Sequence, residues 1–308
     1  MKQFILCALC VPVLIFFSCG REKYSPPLLS IETITPQNAV ESVSIGDAIV
    51  FTIDVQATSE VNITNLLITT TVNDAVITKL DSGMNTAGLH VTKTYYQSTR
   101  HDASWCVQVM DRERNIVRET FFVKGNPDSQ YGPIEEYSGI QLAMQEKTDG
   151  HSWFSTLDGH CISRDSGSFF QSDIDILCYF KYSINNGVNT PSPTFSSPGE
   201  EASATGELYD LFYPELTEWN HRNYTKWDIS ASNGITAQKY LACHNDSLLI
   251  HSYNDAMGKK KYKWVKPGLY IPIQTARGQH GIVHIISADT VPRGIITFDL
   301  KIQRNEGE

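Results

Sequence analysis

The chain has 308 residues, 41% of them hydrophobic and 19% charged, with a formal charge of −9. That composition excludes an intrinsically disordered chain and fits a folded one of about two ordinary domains. The acidic balance argues against a nucleic-acid partner, because a phosphate backbone needs a basic footprint.

Lys2 precedes an almost unbroken apolar run, Phe4 to Phe17. Fourteen residues would span about 21 Å as a helix, short of a hydrocarbon core of roughly 30 Å, so the run reads as a secretory signal. Its ending, Phe16-Phe17-Ser18-Cys19, resembles a bacterial lipobox. Residues 1–18 are expected to leave as a signal peptide, with Cys19 acylated as the new terminus. Residues 19–27, closing on Pro26-Pro27, form a tether. Gly20 is not the aspartate associated with inner-membrane retention. The expectation is therefore an outer-membrane lipoprotein, the cell surface favoured and the leaflet left open.

Residues 28–124 read as strand after strand. Ile49, Phe51, Ile53 and Val55 alternate with Val50, Thr52, Asp54 and Gln56, and Leu66, Ile68, Thr70 and Val72 repeat the pattern. Such a period of two buries one face of a strand. Further runs follow at Leu89–Tyr96, Trp105–Val109 and Val117–Val123. Asn73-Asp74, Asp81-Ser82-Gly83 and the stretch from Asp111 to Asn115 read as turns between them. About seven short strands at these intervals predict an immunoglobulin-like β-sandwich with Trp105 in its core. Gly125-Asn126-Pro127-Asp128-Ser129 reads as a joint, within a linker over 125–133.

Residues 134–304 predict a larger β-sandwich, of jelly-roll type as one possibility, making the whole fold all-β. Its clearest strand alternates Ile174, Ile176, Cys178, Phe180 and Tyr182 with Asp173, Asp175, Leu177, Tyr179 and Lys181. A three-stranded meander closes it: Gly268–Thr275, Gly281–Ser287 and Gly294–Gln303. Between them Asn185 to Trp227 carries little strand signal, apart from a weak helical stretch over 202–211 interrupted by Gly206. Loops of that length are often functional.

Together, the lipobox, the small β module and a larger one ending in Gly281-Ile282-Val283-His284-Ile285 and the run from Gly294 to Ile302 resemble cell-surface lipoproteins of gut Bacteroidetes. The resemblance implies a location and a binding or assembly role, often in glycan capture or adhesion. It transfers no catalytic residues.

Four groups of residues carry candidate chemistry. Asp173 and Asp175 would present two carboxylates on one strand face about 6.5 Å apart, the raw material of calcium binding or glycoside hydrolysis. His280 and His284, about 13 Å apart on a strand, are too distant to share a metal and with Arg277 would line a polar groove. Trp219 to Trp227 reads Trp-Asn-His-Arg-Asn-Tyr-Thr-Lys-Trp. In a sugar site Trp219, Tyr224 and Trp227 would stack the ring, and Asn220, Arg222 and Asn223 would hydrogen-bond it; otherwise the tryptophans pin the loop to the core. Lys259-Lys260-Lys261, with Lys263 and Lys266, is a basic cluster for an anionic glycan or simply a solvated hairpin. Cys7 and Cys10 depart with the signal, and Cys106, Cys161, Cys178 and Cys243 show no CxxC spacing, so neither a metal nor a cofactor is expected. They read as small buried side chains, with a Cys161 disulfide to Cys178 or Cys243 as the alternative. No motif of a serine hydrolase, zinc protease or phosphate-binding loop occurs. The expected function is non-catalytic carbohydrate binding at the cell surface. The alternatives are a structural or adhesin role with a protein partner, and a glycoside hydrolase built on Asp173 and Asp175.

Overall fold

The computed structural model describes residues 25–34, 42–58, 61–201, 205–231 and 233–304. The apolar run, Cys19 and the start of the tether lie outside the described residues. Seven strands come first: β1 (Leu28–Ile34), β2 (Ala48–Gln56), β3 (Ile63–Val72), β4 (Ala75–Thr86), β5 (Gly88–Tyr96), β6 (Ala103–Asp111) and β7 (Ile116–Val123). They form two antiparallel sheets, β1-β2-β5 and β4-β3-β6-β7. Ile49, Phe51, Ile53 and Val55 of β2 meet Leu66, Ile68, Val107 and Trp105 across the sandwich, with the Phe51 and Trp105 rings 5.3 Å apart. Asn73 and Asp74 turn the β3–β4 hairpin with φ of 48° and 65°, the left-handed pair that a tight hairpin requires. Asp81-Ser82-Gly83, read as a turn, lies inside β4; on an exposed edge strand, polar residues need not interrupt the pairing.

Eleven strands follow: β8 (Ile134–Ala143), β9 (His151–Ser155), β10 (Cys161–Ser163), β11 (Ile174–Asn185), β12 (Val188–Ser196), β13 (Lys226–Asp228), β14 (Gly258–Lys259), β15 (Tyr262–Lys263), β16 (Tyr270–Gln274), β17 (His280–Ala288) and β18 (Ile295–Gln303). They make one sheet of order β10-β9-β11-β12-β15 and another of order β14-β13-β16-β17-β18-β8. Ile176, Cys178, Phe180 and Phe195 face Trp227, Ile273, Val283, Phe298 and Leu300 between them. Two short helices, α1 (Ala237–Leu241) and α2 (Ser247–Ser252), set Tyr240 and Leu249 over Ile282 on the outside of the second sheet. The fold is all-β, in sandwiches of antiparallel sheets.

Strand β12 falls where little strand signal was read, because Pro191 and Pro193 argue against a strand. Pro193 lies opposite Phe180, whose own N–H and C=O are taken by the Gln145 side chain at 2.8 and 2.7 Å. The missing proline N–H therefore faces away from β11, on the side where β15 pairs only with Thr194 and Phe195, and breaks no ladder bond. The rest of the long stretch, residues 197–201 and 205–225 where it is described, is a strap over the outer face of β11. Leu208, Tyr209, Tyr213, Leu216 and Trp219 bury themselves on Trp153, Leu177 and Tyr179. Instead of the expected helix, the described residues show a single π turn, Leu208–Phe212, and a 3-10 turn, Pro214–Glu218. Arg164 clamps the strap through Glu215 at 2.5 and 2.9 Å, and Lys181, Lys260 and Lys261 pair with Glu207, Glu201 and Glu200. Two lysines of the expected basic patch, Lys260 and Lys261, are thus fasteners.

The stretch read as a linker is tightly held. A Cβ on Gly125 would stand 2.3 Å from the Arg100 carbonyl oxygen, so only glycine fits there. Ile45 N donates to Ser129 Oγ at 3.1 Å, Gly132 N donates to Asp246 Oδ1 at 2.8 Å, and Asn245 Nδ2 donates to the Ile45 carbonyl at 3.2 Å. The Tyr96 and His244 rings stack across the same seam, 3.3 Å between centroids.

Candidate functional site

Four connections meet at one end of the larger sandwich: the turn 156–160, the loop 164–173, the end of the strap at 218–225, and the turn 275–279 between β16 and β17. Asp175 ties them together. The pairing of β11 with β9 shifts register between Ile174 and Ile176, a bulge that re-aims the intervening side chain. Asp175 Oδ2 accepts from Thr156 N at 3.1 Å, from Thr156 Oγ at 2.5 Å and from the Arg277 guanidinium. Asp175 Oδ1 accepts from Asn223 Nδ2 at 3.2 Å, and the same amide reaches the Ser172 carbonyl at 2.8 Å. Burial pushes the Asp175 carboxyl above its ordinary range, against the pull of Arg277 and Thr156. Its partners are all donors, the environment that favours a carboxylate over a carboxylic acid.

The wet strand face expected for Asp173 and Asp175 is therefore absent. Asp175 is fully buried, while Asp173 sits in the turn before the strand, where Ser172 Oγ donates to it at 2.9 Å. They do not form a reactive pair. Asp175 joins the loops, and its oxygens are committed to those bonds.

What this end shows to solvent is aromatic. Phe169 is 83% exposed and Phe170 46% exposed, side by side on the loop 164–173. The loop beneath them is held firmly. Trp153 Nε1 donates to the Arg164 carbonyl at 3.1 Å, and a Cβ on Gly167 would come within 2.4 Å of that nitrogen and 2.7 Å of Trp219 Cζ2. Gln171 Oε1 accepts from His221 N at 2.7 Å, and Arg277 reaches the Ser172 carbonyl at 3.5 Å. Two apolar rings thus stand on a loop whose base is held by Trp153, Asn223 and Arg277.

Of the residues expected to hold a sugar, the structure brings few together. Trp219, near the end of the strap, is buried with its ring 5.2 Å from that of Trp153, and Trp227 is buried between the sheets, stacked on Phe195 at 5.1 Å. Neither ring can stack a ligand, which corrects the expectation for both. Such a long strap needs large side chains to hold it to the sheet, and tryptophan supplies them. Arg222 lies over the Tyr209 ring at 5.6 Å, and Asn223 is buried on Asp175. Asn220 and Tyr224 remain exposed. The aromatic pair Phe169-Phe170 is not among the residues that the sequence pattern singles out. Its signal is two adjacent apolar rings in the polar stretch Asp165-Ser166-Gly167-Ser168-Phe169-Phe170-Gln171-Ser172, without the period of a strand or helix.

The histidines stand apart from this end's chemistry. His284 stacks on Tyr270 at 4.5 Å and lies 3.5 Å from Asp299, while burial holds the His280 imidazole below its ordinary range. Arg277 turns to Asp175 instead of joining them. Cys106, Cys161, Cys178 and Cys243 are free thiols, the first two partly exposed. Among the described residues no group of three or more His, Cys, Asp or Glu is placed to hold a metal ion, and no helix is long and apolar enough to cross a membrane.

No family model and no curated protein matches the chain. Among solved structures it is similar to a DUF4466 family protein from Parabacteroides merdae, at 14% identity and a TM-score of 0.44, over 92% of this chain and 100% of that one. It is also similar to a cycloalternan-degrading enzyme from Trueperella pyogenes, at 8% identity and a TM-score of 0.19, over 86% of this chain and 32% of that one. Likenesses this distant carry no argument about activity.

Proposed function

We propose that this chain is a lipid-anchored envelope protein that binds carbohydrate without transforming it, at the loop end of its larger sandwich. One observation carries the reading: Phe169 and Phe170 stand exposed on a loop that Trp153, Asn223 and Arg277 hold in place. Aromatic faces take the apolar side of a sugar ring, while nearby amides and guanidinium groups take its hydroxyls. A rigid platform loses little conformational freedom when a ligand arrives. The commitment of Asp175 to internal donors favours binding over catalysis. The lipobox-like Phe16-Phe17-Ser18-Cys19 supports the anchor. Affinity electrophoresis over a panel of soluble polysaccharides tests the site. A Phe169→Ala, Phe170→Ala double variant should weaken binding at least tenfold, about 1.4 kcal/mol, with its unfolding midpoint unchanged. Retention of full affinity by that variant would remove the platform from consideration.

A further inference from the structure

The end of the strap carries His221, whose ring is bound in a way that fixes where its hydrogen sits. His221 N donates to Gln171 Oε1 at 2.7 Å, and His221 Nε2 lies 2.9 Å from Asn223 Oδ1. Asn223 cannot be turned the other way. Its Nδ2 meets the Ser172 carbonyl, the Ile174 carbonyl and Asp175 Oδ1 at 2.8, 3.1 and 3.2 Å, three acceptors that call for the amide nitrogen and would repel its oxygen. Asn223 Oδ1 is therefore the acceptor toward His221, and Nε2 carries the hydrogen. A neutral imidazole of that tautomer keeps a lone pair on Nδ1. His221 is exposed, and no group among the described residues engages that lone pair. Gln171 and Ser172 both belong to the loop that carries Phe169 and Phe170. His221 is thus tied to that loop through its backbone and, by way of Asn223, through its ring.

The charges at this end narrow the ligand further. Arg277 pairs with Asp175 and Arg164 with Glu215, while Arg222 is turned onto the Tyr209 ring and the Leu216 carbonyl. Asp165 and Asp173, on the loop 164–173, make no ion pair among the described residues; Asp173 accepts only from Ser172 Oγ. The cations are engaged and the carboxylates of that loop are not. An anionic ligand would meet like charge there, whereas a hydroxyl finds an acceptor.

We propose that His221 Nδ1 accepts a hydrogen bond from a hydroxyl of an uncharged glycan whose ring face lies on Phe169 and Phe170. The inference rests on the loop-end reading and deepens it: the ligand class is neutral, and His221 selects for a donor. An acceptor held in one tautomer needs no reordering when the hydroxyl arrives, which lowers the cost of binding.

Affinity electrophoresis with dextran, galactan and mannan, each beside its carboxymethylated form, tests it. At least one neutral polymer should bind more tightly than its carboxymethylated form, by a margin that shrinks as salt rises. His221→Gln keeps a donor for Asn223 near the place of Nε2 and gives up the acceptor. It should bind that polymer about fivefold more weakly, the worth of one hydrogen bond, with an unchanged unfolding midpoint. His221→Asn keeps an acceptor near the place of Nδ1 and gives up the donor, so it should bind more tightly than His221→Gln. The reverse order would make His221 a strut for Asn223 and overturn the inference, as would tighter binding of the carboxymethylated polymers. Should the variants fail to fold, long-range proton–nitrogen correlation spectra of the unaltered protein decide. Nε2 should appear protonated, and the bare Nδ1 should shift when a short oligosaccharide of the bound polymer is added; a bare Nε2 or an unmoved Nδ1 would overturn the inference. Loss of affinity in the Phe169→Ala, Phe170→Ala variant beside full affinity in His221→Gln would leave the platform standing and remove this contact. Binding of no polymer by the unaltered protein would overturn both.

Discussion

Strands β2 and β11 look alike on paper and end in different surroundings. In β2, Ile49, Phe51, Ile53 and Val55 are buried, while Val50, Thr52, Asp54 and Gln56 stay partly or fully exposed. In β11, Ile174 to Phe180 are buried without interruption, so Asp175, Leu177 and Tyr179 are as hidden as Ile176 and Cys178. The difference lies in the strap. The larger sandwich covers the outside of one sheet with the strap, residues 197–201 and 205–225, and every polar group beneath must then find a partner, because a buried unpaired one is costly. Ionic side chains consequently do structural work in the larger sandwich, while the smaller one uses apolar interdigitation and short turns.

The sharpest way to break this contrast is to remove what the strap rests on. Trp153 is fully buried, 4.9 Å from the Tyr213 ring and 5.2 Å from that of Trp219, and supports Gly167 as well. Trp153→Ala should cost about 3–5 kcal/mol in chemical denaturation. Limited proteolysis should then cut within 197–225 before it cuts the smaller sandwich. Simultaneous cutting of both would mean that the strap is not a separate layer of stability.

The strap also explains what could be read from the residues and what could not. Alternation located β2, β3, β11 and β18, since a period of two depends only on which face meets the core. It could not show that Leu177 and Tyr179 meet a second layer, because that layer is irregular chain with no period to read. Pro191 and Pro193 hid β12, and Gln145, which takes the polar groups of Phe180 opposite Pro193, makes the second of them tolerable. Asp175, Asn223 and Arg277 each drew attention for separate chemistry; that they meet depends on a bulge and on where the strap returns. Trp219 and Trp227 drew attention for the right reason in the wrong role, since aromatics in a structureless stretch serve packing as readily as recognition. The exposed pair Phe169-Phe170 was legible only as an interruption of polarity.

A second break is electrostatic. Lys261 and Glu200 sit under the strap's edge with side chains 16% and 1% exposed, and Ser196 Oγ donates to the same carboxylate at 2.6 Å. Lys261→Ala leaves Glu200 buried with its cation gone, which should cost about 3 kcal/mol or more by urea unfolding. A change within 0.5 kcal/mol would mean that water reaches Glu200.

The neighbouring pair supplies the control and the smallest effect. Lys260 and Glu201 are joined just as directly, but their side chains are 39% and 32% exposed. The two lysines adjoin in sequence, as do the two glutamates, and both pairs cross the same gap, so burial is the main variable separating them. A solvated pair gains little because water screens the attraction and two long side chains lose freedom in meeting. Lys260→Ala should therefore cost less than about 1 kcal/mol. Measured in one urea series, unequal losses would make burial of the partner, not the ion pair itself, what holds the strap down. Equal losses would mean that the cations act through the general field of an acidic chain, and the contrast between the two sandwiches would then lie only in their aromatic residues.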